Sequence, residues 1–303
     1  MTNSQTGNFA LSVVVASAHS RAGLEACLAS LQDQMAGGEI EVIAVSNCCG
    51  GVGRSIEASF SFVRLIEAPP STTVPALRTT GILAATGRVI ALLEDNSIVG
   101  PTWCRAIRMA QAGSHAIVGG AVERVGEHRA IDWAVYFYEY GKYMLPSGEG
   151  ASATLSGNNV SYKRALLEEL QEEFRDGFFE AFLHERLRSQ GQVLRMAPDA
   201  VVYHTQQYQM GTVLRQTFYH GRHYAGRRVA AASSLTRLGF AAGSTVLPVI
   251  LPLRIARVVL QRKRHVRELM LALPYLVLFM TSWACGELMG YLCGEGESVS
   301  QWA

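Results

Sequence analysis

A doubly wound, mostly parallel α/β sheet is the fold class that residues 1–207 predict, with an apolar helical region attached behind it. Three observations carry this expectation. Short apolar runs alternate with helical patterns at the spacing of βαβ units. The run Ala91-Leu92-Leu93 stops abruptly at Glu94-Asp95-Asn96-Ser97, as a buried parallel strand does where it delivers polar groups to the carboxyl edge of a sheet. That edge is where open α/β sheets bind ligands. Finally, 303 residues exceed what one core usually fills, and the composition turns apolar near the C-terminus.

Each element has its own warrant. Residues 9–16 are apolar, with three consecutive valines, and lead through Ser17-Ala18-His19-Ser20 into a helical pattern at Leu24, Cys27, Leu28 and Leu31. Residues 41–45 read as a second buried strand ending at Ser46-Asn47, and the Cys48-Cys49-Gly50-Gly51 turn opens the next helix. A third strand is predicted at 62–67. Pro69, Pro70 and Pro75 then forbid regular structure until a helix over 76–86, closed by Gly87 at its C′ position. The strand over 88–93 follows, and Ile117-Val118-Gly119-Gly120-Ala121-Val122 reads as another whose glycines let a ligand or a second backbone come close. Trp133, Tyr136, Phe137, Tyr138, Tyr140 and Tyr143 surround Glu139; such rings suit sugar or lipid faces and equally suit a core. A strand over 200–204 ends in His204.

Composition excludes several classes. A net charge of +2 gives no general attraction to nucleic acid. The six cysteines have no C-x-x-C pairing, which argues against a zinc framework or a disulfide scaffold and for a reducing compartment. Residues 1–8 are polar, without the basic and apolar regions of an export signal.

The helix over 210–228 carries Arg215, His220, Arg222, Arg227 and Arg228 and predicts a basic amphipathic segment spanning 208–236. Residues 237–303 form the apolar region. Within it, 238–253 is uncharged but interrupted by Pro248 and Pro252, and as a straight helix it reaches only about 24 Å against a hydrocarbon core of ~30 Å. Residues 269–286 are uncharged and long enough to be a spanning candidate. The basic run between them, Arg254, Arg257, Arg262, Lys263, Arg264 and Arg267, belongs on the cytoplasmic side, which a re-entrant or interfacial first segment allows. Packing of these apolar helices on the α/β domain or on a second subunit is the competing use of this region.

One series of motifs runs through the chain. Val13-Val14-Val15-Ala16-Ser17-Ala18-His19 precedes Cys27-Leu28-Ala29-Ser30-Leu31, and Ser46-Asn47 follows the second strand. Next come Arg78, Gly81 and Ala85-Thr86-Gly87, then Glu94-Asp95-Asn96 with Pro101 and Trp103 behind it. Ser156-Gly157-Asn158-Asn159 and Phe179-Glu180 precede Leu183-x-x-Arg186-Leu187-x-x-x-Gly191. This order resembles the family 2 glycosyltransferases, which have a GT-A fold, and in particular a bacterial membrane-associated branch with an E-D-H-type motif where others have Asp-x-Asp.

The resemblance implies a GT-A catalytic domain over 1–207 and a membrane-associated, inverting transfer of a sugar from a nucleotide-diphosphate donor to a lipid-linked or polysaccharide acceptor at the cytoplasmic face. It implies that Glu180 is the base, and that Ala16, Ser17, His19, Ser46, Arg78, Asp95, Gly157, Asn158, Asn159 and Arg222 meet the donor. Gly119, Gly120, Glu139 and His184 fall on the acceptor side. A divalent metal, Mg²⁺ or Mn²⁺, would be held by Glu94, Asp95, Asn96 and His204. The same residues read without the family allow Glu94-Asp95-Asn96 to be a turn cap and the 210–228 helix to lie on an anionic membrane.

The chemistry asks for a carboxylate because an acceptor hydroxyl is a poor nucleophile until a base takes its proton. Phe178, Phe179 and Phe182 around Glu180 predict a partly buried carboxyl with its pKa raised toward working pH. Ser46, Asn96 and Phe179 stand where the family has aspartate or glutamate, which keeps a non-catalytic GT-A-like scaffold of a polysaccharide assembly complex as the alternative, with homo-oligomers or assembly proteins as partners. A nucleotidyltransferase would want a glycine-rich basic loop after the first strand, and residues 17–22 have one arginine and no glycine.

Overall fold

The structure is a computed structural model describing residues 9–36, 38–48, 53–126 and 129–298. Residues 1–8, read above for an export signal, and the Cys49-Gly50-Gly51 turn lie outside them. The chain forms two compact units: one runs to Val125 and resumes over Tyr143–Thr205, the other comprises Gly126–Lys142 and the chain from Gln206 onward.

The first unit is built on β1 (Leu11–Ser17), α1 (Arg21–Gln32), β2 (Ile40–Ser46), α2 (Gly53–Ser59), β3 (Val63–Glu67), α3 (Val74–Ala84), β4 (Val89–Glu94), β5 (Ser97–Val99), α4 (Trp103–Gln111) and β6 (Ile117–Arg124). It continues through β7 (Gly150–Ser152), β8 (Val160–Lys163), α6 (Arg164–Glu169), α7 (Glu180–Ser189) and β9 (Leu194–His204); α5 (Ala130–Glu139) belongs to the other unit. The strands form one nine-stranded sheet in the order β3-β2-β1-β4-β8-β6-β9-β5, with β7 beside β9. β1 pairs in parallel with β2 and β4, β2 with β3, and β6 with β9, whereas β8, β5 and β7 run antiparallel to their neighbours. The sheet is therefore mixed, with the parallel core the sequence predicts.

Strand β1 is buried throughout, as a strand covered on both faces must be. Leu11, Val13 and Val15 join Leu24, Cys27, Leu28 and Leu31 of α1 in one core cluster. Val14 faces the other way, against Gly81 of α3, where a Cβ would stand 2.2 Å from its Cγ1. Two expected boundaries change. Helix α3 begins at Val74 with Pro75 in its first turn, because proline's missing N–H costs nothing there. Gly87 is no helix cap; its Cα lies against the Leu11–Ser12 backbone, leaving no room for a side chain.

The second unit holds α5, α8 (Met210–Arg228), α9 (Ser234–Ser244), α10 (Leu247–Arg262) and α11 (Val266–Cys293). Trp133, Tyr136 and Phe137 of α5 are buried and pack on one another at 5.4–5.6 Å between ring centres, so these rings serve the core. The prolines do not interrupt α10: Pro248 lies in its first turn and Pro252 is carried inside it. The break falls earlier, between α9 and α10, which are bent by 61°. Among the described residues α11 is the one single helix long and apolar enough to cross a membrane, and the bent α9–α10 pair reaches that length only if taken as one span.

Candidate functional site

The carboxyl edge of the first unit gathers three charged side chains from three distant segments. Arg78 projects from α3, Glu94 is the last residue of β4, and Glu180 is the first residue of α7. The Arg78 guanidinium donates from Nη2 to Glu94 Oε1 and from Nη1 to Glu180 Oε2, both at 2.6 Å. Side-chain exposures of 7 % for Arg78 and 13 % for Glu94 mark a sheltered pair, whereas Glu180 retains 26 % and so stays open to a reactant.

Burial alone would raise the Glu180 pKa, but the Arg78 cation, the residue's own N–H in the first helical turn and His184 together hold it below the ordinary carboxyl range. This reverses the raised value expected from the phenylalanines. A fixed guanidinium at hydrogen-bond distance outweighs desolvation by neighbouring rings. Arg78 is in turn held more firmly protonated than a free arginine, since Glu180 and Glu94 more than offset the cost of its burial.

Gly157 closes against this pair. A Cβ there would stand 2.5 Å from the Glu180 carboxyl and 2.8 Å from Arg78 Nη2, so any side chain at this position would have to displace the Arg78–Glu180 pair. Asn158 beside it is buried; its Oδ1 accepts from Ser156 Oγ at 2.6 Å while its Nδ2 has no protein acceptor. Behind Glu180, one turn along α7, His184 Nε2 meets the Tyr162 hydroxyl at 2.6 Å, both side chains buried. Burial, then the nearby Glu180 charge, lifts the Tyr162 pKa well above its usual value, against the opposing pull of Arg78.

Asp95, next in sequence to Glu94, turns elsewhere. Its Oδ2 accepts from Ser17 Oγ at 3.0 Å and from the backbone N–H groups of His19 and Ser20 at 2.9 and 3.1 Å, and its Oδ1 meets His19 Nδ1 at 2.5 Å. Burial would raise its pKa, but the His19 ring and these amides lower it. The carboxylate thus fastens the β1–α1 loop, and Ser17 is spent on it. Ser46 Oγ donates to Ser17 Oγ at 3.3 Å, and Ala16 is buried in β1.

The four residues expected to hold a metal do not assemble into a shell. Asp95 is saturated by donors, Glu94 is bonded to Arg78, and Asn96 Oδ1 accepts from Ser97 Oγ at 3.2 Å while its Nδ2 donates toward Glu94 at 3.4 Å. His204 is wholly buried, opposite Ser97 and Arg124 in the sheet register, and burial, Arg124 and His19 push its pKa down to about 3. No group of three His, Cys, Asp or Glu among the described residues could hold an ion. As arranged, this donor set does not fit a divalent metal.

Other expected contacts also resolve into structure. Asn159 is fully buried: its Oδ1 accepts from Trp103 Nε1 and its Nδ2 donates to the Ala121 and Ala200 carbonyls, each at 2.8 Å. The close approach that Gly119 and Gly120 permit is to protein, since a Cβ on Gly120 would stand 1.8 Å from the Ala200 carbonyl and one on Gly119 2.8 Å from Leu155. Arg222 and Glu139 belong to the second unit, where Arg222 Nε donates to the Gly294 carbonyl at 3.2 Å. Sequence reasoning gave Tyr162 no role and did not join Arg78 to Glu180; nothing local in the chain marks either.

A strand tip and a helix start thus converge on one guanidinium at the ligand-binding edge of the sheet, and residues 8–222 match the family described as glycosyltransferase like family 2. The chain belongs to that family. It is a glycosyltransferase. The solved structure of the mannosyltransferase PcManGT from Pyrobaculum calidifontis, in complex with GDP-Man and Mn²⁺, superposes with a TM-score of 0.57 at 14 % identity, covering 92 % of this transferase and 87 % of that chain. At that identity the likeness is one of fold, and it makes the sheet of GT-A type. No curated protein sequence matches the chain.

Proposed function

We propose that this glycosyltransferase takes a sugar from a nucleotide-diphosphate donor and passes it, with inversion, to a lipid-linked or polysaccharide acceptor at the cytoplasmic face of a membrane. The observation that carries the reading is the shared guanidinium: Arg78 bonds both Glu94 and Glu180 at 2.6 Å, so the strand tip and the lone glutamate of α7 belong to one cleft.

Glu180 acts as the base. Its lowered pKa keeps it ionised at neutral pH, and its partial exposure lets an acceptor hydroxyl reach it. The hydroxyl proton passes to a Glu180 carboxylate oxygen as the acceptor oxygen bonds to the anomeric carbon. The bond from that carbon to the leaving phosphate oxygen breaks on the opposite face, and the nucleoside diphosphate departs with the electron pair. One in-line displacement inverts the centre. Arg78 fixes the direction of the carboxylate. The buried Asn158 Nδ2, with no protein acceptor, suits a donor-sugar hydroxyl. Membrane attachment through the second unit is supported by the apolar α11 and by the basic residues Arg254, Arg257, Lys263 and Arg267.

The test is a screen of the purified full chain against nucleotide sugars, reading nucleoside diphosphate release, with donor binding followed by calorimetry. Glu180→Gln should lower turnover by roughly 10²- to 10⁴-fold with donor affinity intact. Unchanged turnover in that variant, or no binding of any nucleotide sugar, would overturn the assignment.

A further inference from the structure

Exposed apolar side chains run along three helices of the second unit. On α11, Met270, Leu271, Val277, Leu278, Leu288 and Leu292 are exposed at helical spacing, while the opposite face is buried against protein. Leu235 and Leu238 of α9, and Val249, Leu253 and Leu260 of α10, are exposed as well. Arg254 and Arg257 lie among them on α10, and Arg267 begins the α11 stripe, all exposed. Apolar side chains bordered by cations match a bilayer with anionic headgroups.

Length and composition would let α11 cross such a bilayer, but its packing against α8 does not. Ser282 Oγ donates to the Leu214 carbonyl at 2.7 Å. Gly286 lies against the Phe218 carbonyl, and Gly290 against that of Arg222, so closely that a Cβ would stand 2.0 and 2.3 Å away. Each contact advances both helices by one turn in the same direction, so α8 and α11 run parallel at a constant offset. Continued back, that offset sets Met210, the first residue of α8, level with Leu278, in the middle of the uncharged stretch 269–286.

If α11 spanned, the bilayer midplane would receive the start of a second helix, with its unpaired first-turn amides, the Gln206–Gln209 approach and soon afterwards the exposed Arg215. The part of α11 ahead of that level, Val266 to Val277, rises only about 18 Å, short of the ~30 Å core.

We propose that α11 does not cross the membrane. It lies in the plane of an anionic phospholipid surface with its exposed stripe in the headgroup–acyl boundary, beside the bent α9–α10 pair, and both of its ends stay on one side. This deepens the membrane attachment proposed above and rests on it.

The experiment uses the full chain with its other reactive thiols replaced by serine. A fluorophore is attached at Met270→Cys, Leu278→Cys or Leu288→Cys, the protein is bound to phosphatidylcholine vesicles with or without phosphatidylglycerol, and quenching by nitroxides at shallow and deep acyl positions is measured. The expected result is binding that requires the anionic lipid and a shallow, nearly equal depth at all three positions. Arg254→Gln, Arg257→Gln and Arg267→Gln together should weaken binding to the anionic vesicles on the order of 100-fold at low salt. Deep quenching at position 278 flanked by shallower 270 and 288 would overturn the in-plane arrangement alone. Failure to bind either vesicle would overturn membrane attachment itself, as would lipid-free dimers in which the three labels are already shielded. None of these readings depends on turnover, so the transfer chemistry stands or falls separately.

Discussion

Glu94 and Asp95 are adjacent in the chain and serve two different clusters at the same sheet edge. Asp95 takes four contacts from the last residue of β1 and the β1–α1 loop, two of them backbone amides, and has no exposed surface left. Glu94 shares one guanidinium with Glu180, so that a single cation faces two carboxylates. A carboxylate whose acceptor sites are filled by the backbone is a fastening. One that divides a cation with a second carboxylate, part of it open to solvent, keeps capacity for a proton or a hydroxyl. At this edge the number of donors per carboxylate, more than burial, separates structure from chemistry.

Breaking the fastening should have the largest effect on stability. Asp95→Ala leaves Ser17 Oγ and the amides of His19 and Ser20 without their acceptor, at a cost of about 3 kcal/mol in urea unfolding. Asp95→Asn is the sharper variant: its amide oxygen can keep all three donors and its NH₂ can face His19 Nδ1, so most of the stability and the transfer activity should survive. Loss of activity in a stably folded Asp95→Asn protein would mean that Asp95 meets the donor after all. The pH dependence has a definite sign. Because the folded-state pKa of Asp95 is lowered, its contribution is full above the unfolded aspartate pKa and disappears as pH falls through the folded one.

The shared cation is tested next by the pH profile of transfer. In the wild type the acid limb of kcat should lie below the ordinary glutamate range, because Glu180 must be ionised to act and Arg78 holds its pKa down. Arg78→Gln removes that cation and leaves burial and the Glu94 charge to push the other way. The acid limb should then move up by roughly one to three pH units. An acid limb that stays in place would mean that another residue supplies the base.

The contrast between these clusters was only partly legible in the sequence. The strands at β1, β2 and β4 emerge within a residue or two of their predicted limits, because continuous apolar runs ending in polar residues are a strong local signal. The order of motifs singled out Glu180 and Glu94 together. Side chains at a strand end alternate, so neighbours there point apart, yet nothing in Glu94-Asp95 says which of them faces the cleft. The Arg78–Glu180 bond joins residues 102 apart and leaves no periodic trace, and without it the pKa of Glu180 was expected to move the wrong way. Gly87 and Asn159 were legible as special residues but not as contacts of a neighbouring backbone, since only the folded sheet supplies those partners.

The smallest expected effect sharpens the boundary between the two kinds of cluster. Burial and the Glu180 charge keep Tyr162 protonated, and its hydroxyl shares a hydrogen bond with His184 Nε2. The bond orients a histidine one turn from the base and lies outside the Arg78 pair. Tyr162→Phe keeps the ring that packs on Phe178 at 5.5 Å and removes only this hydrogen bond. Unfolding free energy should fall by about 1 kcal/mol. Since Arg78 remains to fix Glu180, kcat should fall less than about tenfold and the acid limb should scarcely move, an outcome read from one urea titration and one pH–rate series. A loss approaching that of Glu180→Gln would instead make the Tyr162–His184 pair part of the proton's route, and the working half of this edge would then extend from the guanidinium through α7 to β8.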